Sequence, residues 1–371
     1  MTISNIVSSL SKILDESLLS AYNNKVFSAC SVGVIYPAGK ELRSLIRFIG
    51  ETGRYPGEKV TFDCLYDLAS LTKPIVITLS ILKLIKNGLL DFKTTVGSVF
   101  IDETVADTLR NVNIKDLLCH NAGLVAHRDY WQKMCTMESH QAAAWLLENL
   151  LSERVDSAAE KHVYSDLGYM LLGFMIEKLS GQRLDSFFNT QIAKPLGLQD
   201  TLFYPVSRCP KNVKPFAATG YCPWSNDLLH GTVHDDNCRS LGGVAGHAGL
   251  FGTISAVNRI CEELLRLMEN KPSELSISST LFDQCTTRIG NSEWTAGFNL
   301  PSGYGSSSGR HFSSRSIGHL GFTGTSFWID PDQKVAVSLL TNRVIMGENQ
   351  LGIKKLRPRV HNRIMELFLG K

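Results

Sequence analysis

The order of the elements along this chain limits its fold more than any other feature. Near the N-terminus, "SACSVGVIYP" and "RSLIRFIGETG" are short, β-branched runs bounded by proline and glycine, and they read as antiparallel strands. Toward the C-terminus, "SEWTAGFNL", "FTGTSFWIDP" and "KVAVSLLTN" also read as strands, the last two joined across "PDQ", before a closing helix around "RVHNRIMELFLG". Between them lie helical patterns at 71–87, "NIKDLLCH", "MESHQAAAWLLENLL", "SDLGYMLLGFMIEKLSG", "RLDSFFNTQIAKPLGL" and "SAVNRICEELLRLME". Residues 200–250 are loop-rich. The expected class is therefore α/β (α+β): an antiparallel sheet flanked by helices and built from both ends of the chain, with an inserted all-helical domain. The expected bounds are 1–66 with 240–371 for the sheet-bearing part and 67–239 for the insert, with a site in the cleft between them.

A length of 371 residues suits such a two-part body. Hydrophobic residues make up 43% and charged residues 20%, which excludes disorder. A net charge of +3, with no long basic run, makes no case for nucleic acid or a membrane surface as partner. The nine cysteines are odd in number and scattered, with no CxxC, so free thiols in a reducing compartment fit better than disulfides or zinc. The first residues form an amphipathic pattern interrupted by Lys12, Asp15 and Glu16, unlike a signal peptide, and no apolar run reaches transmembrane length. These features predict a cytoplasmic protein. No internal repeat occurs, and 302–316, "SGYGSSSGRHFSSRS", is expected to be a flexible loop.

Three short stretches can carry chemistry. In "LASLTKPIVITLSILKLI", Ser70 and Lys73 lie three residues apart at a helix start, ahead of an apolar wall. A desolvated lysine beside a serine hydroxyl can act as its base, whereas an N-cap serine with a solvated lysine is the plainer alternative. Pro74 is tolerable there because a first-turn N–H has no partner to lose. In "YSDLGYMLLG", Tyr164 and Asp166 could reach a cleft from the loop before a helix, with Tyr164 a general base if an ammonium lowers its pKa. They could equally be a packing tyrosine and a helix cap. In "GHLGFTGTSFWID", His319 precedes two tight glycines at a strand edge, a place where substrate can approach backbone N–H groups or where a surface histidine flanks a bulge.

Taken together, in this order, the stretches resemble the serine β-lactamase and penicillin-binding superfamily in its class C and esterase-like branch. Ser70-Leu71-Thr72-Lys73 matches its S-x-x-K, Tyr164-Ser165-Asp166 its Tyr-x-Asn, and His319-Leu320-Gly321 its Lys/His-Thr-Gly. "NIKDLLCHNAGL" and "GGVAGHAGLFGT" are similar to further stretches of that family, and the likeness runs from about Ser31 to Asn342. The resemblance implies a β-lactamase/transpeptidase-like fold and a serine hydrolase that works through an acyl-serine intermediate without a cofactor or metal. By it, Ser70 is the nucleophile, Lys73 and Tyr164 share proton transfer, and the N–H groups of Ser70 and Phe322 form the oxyanion hole. Asp166, His319, Leu320 and Gly321 would bind a small-molecule ester, amide or peptidoglycan-derived substrate.

Three departures refine this. Asp166 replaces the family's asparagine and should hold Lys73 protonated, moving the base role toward Tyr164. Leu320 and Phe322 stand where hydroxyl-bearing or small residues usually help hold a substrate carboxylate, and His319, charged only part of the time, replaces a lysine. An esterase or amidase is therefore favoured over a D-alanyl-D-alanine carboxypeptidase or weak β-lactamase, with a non-catalytic penicillin-recognising protein as the alternative outside enzymes. His234, Asp235, Asp236 and His247 could hold a metal, but a loop capped by Asx side chains is preferred. His120 and His127 read as structural.

Overall fold

The computed structural model describes residues 3–53, 57–156, 163–205, 215–290, 292–303, 305–347 and 349–370. Its main sheet does draw on both ends of the chain. Strands β1 (Ala29–Ala38) and β2 (Glu41–Gly50) come from the N-terminal part. Strands β3 (Ile317–Leu320), β4 (Ser326–Asp330) and β5 (Val335–Thr341) come from the C-terminal part. The order is β2-β1-β5-β4-β3, antiparallel throughout, with Val34 opposite Val337 and Gly318 opposite Trp328.

Strand alternation sorts side chains to two faces. Val335, Val337 and Leu339 of β5 pack with Val32 and Val34 against helices α1 (Ile3–Asn23) and α5 (Leu351–Leu369). Their neighbours Ala336 and Leu340 face helix α4 (Ile254–Met268) on the other side. That helix comes so close that a Cβ at Gly33 would fall inside the Asn258 side chain. The core on the α4 side continues into the helical segments between β2 and α4, joining Ile260 and Leu264 to Ile75, Leu79, Leu118 and Leu172.

Two of those segments place the chemistry. Helix α2 (Leu79–Lys86) is preceded by a 3-10 turn, Ala69–Leu71, and a π-helical turn, Lys73–Thr78. The single helix expected over 71–87 is thus three kinds of turn in succession, a local irregularity often found at functional sites. Helix α3 (Asp166–Ser180) has Ser165 as N-cap and ends at Gly181, whose φ of 67° is the usual left-handed stop.

Three other expectations are corrected. "SEWTAGFNL" is no regular strand. Gly297 has φ 96°, and only isolated bridges join Trp294 to Asn299 and Asn299 to Gly318. The stretch 302–316, of which Tyr304 lies outside the described residues, is packed: Ser306, Ser308 and Ser316 are buried, and Arg310 N–H donates to Asn362 Oδ1 at 2.7 Å. The closing helix starts earlier than its sequence pattern, at Leu351, and carries Pro358 inside it. The eight described cysteines are free thiols, and Cys209 lies outside the described residues. No helix among the described residues is long and apolar enough to cross a membrane.

Candidate active site

Ala69 has φ 49°, a left-handed backbone that resists a Cβ, and the turn it makes lifts Ser70 to the mouth of a cleft of about 980 Å³. Below Ser70, the Lys73 side chain is fully buried. Its three ammonium protons have three acceptors: Ser70 Oγ at 3.0 Å, Asp166 Oδ1 at 2.7 Å and the His247 carbonyl at 3.2 Å. Burial alone would lower the lysine pKa, but the Asp166 carboxylate outweighs it and holds Lys73 above its ordinary value. Asp166 is in turn held well below the usual carboxylate range, because the Lys73 ammonium and a bond to His127 outweigh its burial. The pair is an ion pair at neutral pH.

Tyr164 is part-exposed on the cleft wall, with Lys73 Nζ 4.9 Å from its ring centroid. It packs against His120, at 4.4 Å between centroids, and stands 6.3 Å from Trp294 and 6.1 Å from His319. The expectation of a lowered tyrosine pKa is overturned. Burial raises it, the Asp166 charge adds to the rise, and Lys73 pulls it back only in part, so it stays above the ordinary value.

The third stretch closes the opposite wall. His319 is buried, and Nδ1 lies 2.9 Å from the Leu320 carbonyl, which makes Nδ1–H the donor and leaves Nε2 an acceptor with no partner among the described residues. Burial, aided by the Lys73 charge, pushes its pKa down to about 3, so it is neutral rather than partly charged at pH 7. At Gly321 a side chain is impossible without movement: a Cβ would meet the Thr325 side chain and come within 2.7 Å of the Leu68 carbonyl. Phe322 is half-exposed, with the Arg343 guanidinium 4.7 Å from its ring centroid.

One cleft thus gathers Ser70, Tyr164, Asp166, His319, Leu320, Gly321 and Phe322, with Lys73 beneath. Three cleft residues escape a reading of the sequence. His127, expected to be structural, lines the cleft and places Nδ1 3.3 Å from Asp166 Oδ2. Its pKa is raised, chiefly by that bond. Arg357 and Lys354 reach the cleft from α5. Arg357 Nη2 donates to the carbonyls of Gly321 at 2.9 Å and Thr325 at 2.7 Å, while its Nε has no partner among the described residues. Burial and the neighbouring Arg343 lower the Arg357 pKa to about 9. His120, by contrast, is structural: it is buried, and its Nδ1 accepts the Ser165 N–H at 3.0 Å.

The 234–247 loop is a capped one. Asp235 Oδ1 accepts the Cys238 N–H at 2.8 Å at the start of the helix Asp236–Ser240, and it also takes the His247 Nε2–H at 2.8 Å. Among the described residues no group of three His, Cys, Asp or Glu side chains is arranged to hold a metal ion.

The family model described as Beta-lactamase matches residues 38–356. The "N-acetylmuramyl-L-alanine amidase" of Bacillus subtilis (strain 168) is 33% identical over 309 residues, covering 75% of this chain and 68% of that protein. A protein of Escherichia coli O157:H7 named "Putative D-alanyl-D-alanine carboxypeptidase" is 31% identical over 312 residues, covering 77% and 70%. Among solved structures, the octameric penicillin-binding protein homologue from Pyrococcus abyssi superposes with a TM-score of 0.70 at 18% identity, covering 97% of this chain and 77% of that one. At that identity it bears on the fold alone, which is the β-lactamase/transpeptidase fold. By the family match across most of its length, the chain belongs to the beta-lactamase family and is a serine hydrolase that works through an acyl-enzyme.

Proposed function

We propose that this hydrolase cuts an amide bond in a peptidoglycan-derived fragment that carries a carboxylate, with Ser70 as nucleophile in the cleft between a sheet-bearing unit (1–66 and 240–371) and a helical insert (67–239). The observation that carries the reading is the buried Lys73 ammonium, 3.0 Å from Ser70 Oγ and locked to Asp166. A buried lysine with no task is expensive, and this one has its third proton on a backbone carbonyl rather than in solvent.

Ser70 Oγ attacks the substrate carbonyl, and the oxyanion sits between the N–H groups of Ser70 and Phe322. The serine proton goes to the Lys73–Tyr164 pair. With Lys73 charged and Tyr164 neutral at rest, the competent form is the one in which the pair has lost a proton, so the two titrate as a unit. The pair then returns the proton to the leaving amine, and water repeats the sequence to release the acyl group. Asp166 keeps Lys73 aimed, while His319, Leu320 and Gly321 line the acyl side.

The amide preference is supported by the relatives at 33% and 31% identity, whose names both describe a bond to alanine. The carboxylate preference is supported by Arg357 and Lys354, cations on the cleft wall that offset the missing hydroxyls at Leu320 and Phe322. A cleft of this volume also exceeds the need of a small ester. Cytoplasmic action on recycled fragments completes the reading, in keeping with the eight free thiols. The test is kcat/KM for a muramyl-L-alanine peptide, a D-Ala-D-Ala peptide, p-nitrophenyl acetate and nitrocefin. One of the two peptides should lead, and nitrocefin or the neutral ester in first place would sink the substrate assignment.

A further inference from the structure

None of the steps above uses Asp67, although its carboxylate is buried directly behind the nucleophile. Its backbone belongs to a short strand, Tyr66–Asp67, with Asp67 opposite Phe251. Its side chain reaches two segments of the site. Oδ1 accepts the Ala69 N–H at 2.9 Å, and Oδ2 accepts the His234 N–H at 2.7 Å. Its carbonyl accepts the Thr323 hydroxyl at 2.8 Å, just beyond the third stretch. One residue therefore ties the Ser70 turn, the 234–247 loop and the 319–325 segment together.

The turn needs such a tie. Ala69, the residue before the nucleophile, holds φ 49°, a conformation that only glycine adopts without resistance. An aspartate accepting the N–H two residues ahead is a standard way to hold a local turn. What is not standard is the setting. The side chain is 1% exposed, and no cation makes an ion pair with it among the described residues. The titratable and charged groups that act on it are Asp235, Arg239 and Cys238, all from the 235–239 segment.

We propose that Asp67 is a positioning residue for the acylation step: its ionised carboxylate, by accepting both N–H groups, holds the strained Ala69 turn that presents the Ser70 hydroxyl to Lys73. The proposal rests on Ser70 being the nucleophile. A protonated Asp67 turns one oxygen into a donor, so one of the two N–H groups loses its acceptor. Asparagine has the same shape and the same defect. Asp67→Asn therefore mimics the acid form at every pH. Burial, opposed by the two N–H bonds, raises the Asp67 pKa to about 6, which brings its titration into an accessible range.

The experiment is the rate at which a fluorophosphonate probe labels the full chain from pH 5 to 9, in wild type, Asp67→Asn, Ala69→Gly and Ser70→Ala, with folding checked by circular dichroism. Besides the steady fall that the Lys73–Tyr164 pair imposes at every pH below its own titration, wild-type labelling should drop roughly a further tenfold as pH passes down through about 6, the scale of one charge-assisted hydrogen bond. Asp67→Asn should label about tenfold more slowly than wild type at pH 8 and show only that steady fall, with no added drop near pH 6, so that the two rates converge at pH 5, with substrate KM within about twofold of wild type and the loss in kcat. In Ala69→Gly the added drop near pH 6 should shrink to within about threefold, since glycine holds this φ without help. An Asp67→Asn protein that labels at the wild-type rate, or is slow but keeps the added drop near pH 6, overturns the proposal. Should that variant not fold, an unchanged added drop in Ala69→Gly overturns it. Labelling that persists in Ser70→Ala would instead refute the nucleophile assignment, a separate failure.

Discussion

Replacing Asp166 by asparagine, the residue usual in this family, isolates the part played by its charge. The carboxylate lies 2.7 Å from Lys73 Nζ and raises the pKa of both Lys73 and Tyr164. Since the competent form of the pair lacks one proton, kcat/KM of the wild type should climb with pH along an alkaline limb. Two unit charges at this separation attract by about 6 kcal/mol at an effective dielectric near 20, a ceiling because His127 and water share the carboxylate. Even a quarter of that corresponds to about one pH unit. Asp166→Asn should therefore move the limb down by at least about one unit, making the variant relatively faster near neutrality than at pH 10. The variant should also be less stable at pH 7, because a buried ammonium loses its counter-ion. The sign is fixed by the depressed Asp166 pKa: its contribution is complete above the unfolded value of about 3.9 and is lost only as pH falls through the folded value, so the stability gap should close in strong acid. The assay is kcat/KM from pH 6 to 10.5 with one amide substrate, alongside melting curves. A limb at the same pH in both proteins would refute proton transfer through a Lys73–Tyr164 pair tuned by the Asp166 charge.

Other variants probe separate parts of the site. Tyr164→Phe should cost about 10²-fold or more in kcat with little change in KM, measured at the pH of the wild-type plateau, and near-normal turnover would leave Lys73 as sole base. Arg357→Met should raise KM for a carboxylate-bearing peptide by about tenfold and reduce p-nitrophenyl acetate hydrolysis much less, whereas equal losses would make Arg357 only a support for Gly321 and Thr325. Gly321→Ala should destabilise the protein by about 1–3 kcal/mol by forcing a methyl against Leu68 and Thr325, as read from denaturant unfolding; a stability equal to wild type would mean that the third stretch yields to an added methyl at no cost.

Much of the sheet and of the Ser70–Lys73 pair is legible in the sequence because both are local signals. Alternation along β1 and β5, and two functional groups three residues apart at a helix start, need no knowledge of distant chain. The capped start of α3 is announced by Ser165, and its end by Gly181. What escapes depends on contacts far along the chain. His127 meets Asp166 across 39 residues, and no spacing rule relates them. Arg357 sits next to Pro358, and a proline reads as a helix boundary; in the fold the ring lies inside α5, where it leaves the Lys354 carbonyl without its usual donor. The serine-rich stretch 302–316 has the composition of a flexible loop, yet His361 Nδ1 donates to the Ser307 carbonyl at 2.7 Å and Asn362 takes the Arg310 N–H, both from α5. Tyr164 departs from expectation for a different reason. The ammonium beside it is foreseeable, but the burial and the Asp166 charge that overrule it belong to the folded cleft.

The most direct test of the central claim is to quench the enzyme during turnover of p-nitrophenyl acetate and locate the trapped acyl group by peptide mass mapping. The account predicts a mass increase of one acetyl group on the peptide that contains Ser70, absent in Ser70→Ala and diminished in Tyr164→Phe. An acetyl group on any other residue, or turnover by Ser70→Ala at the wild-type rate, would contradict it.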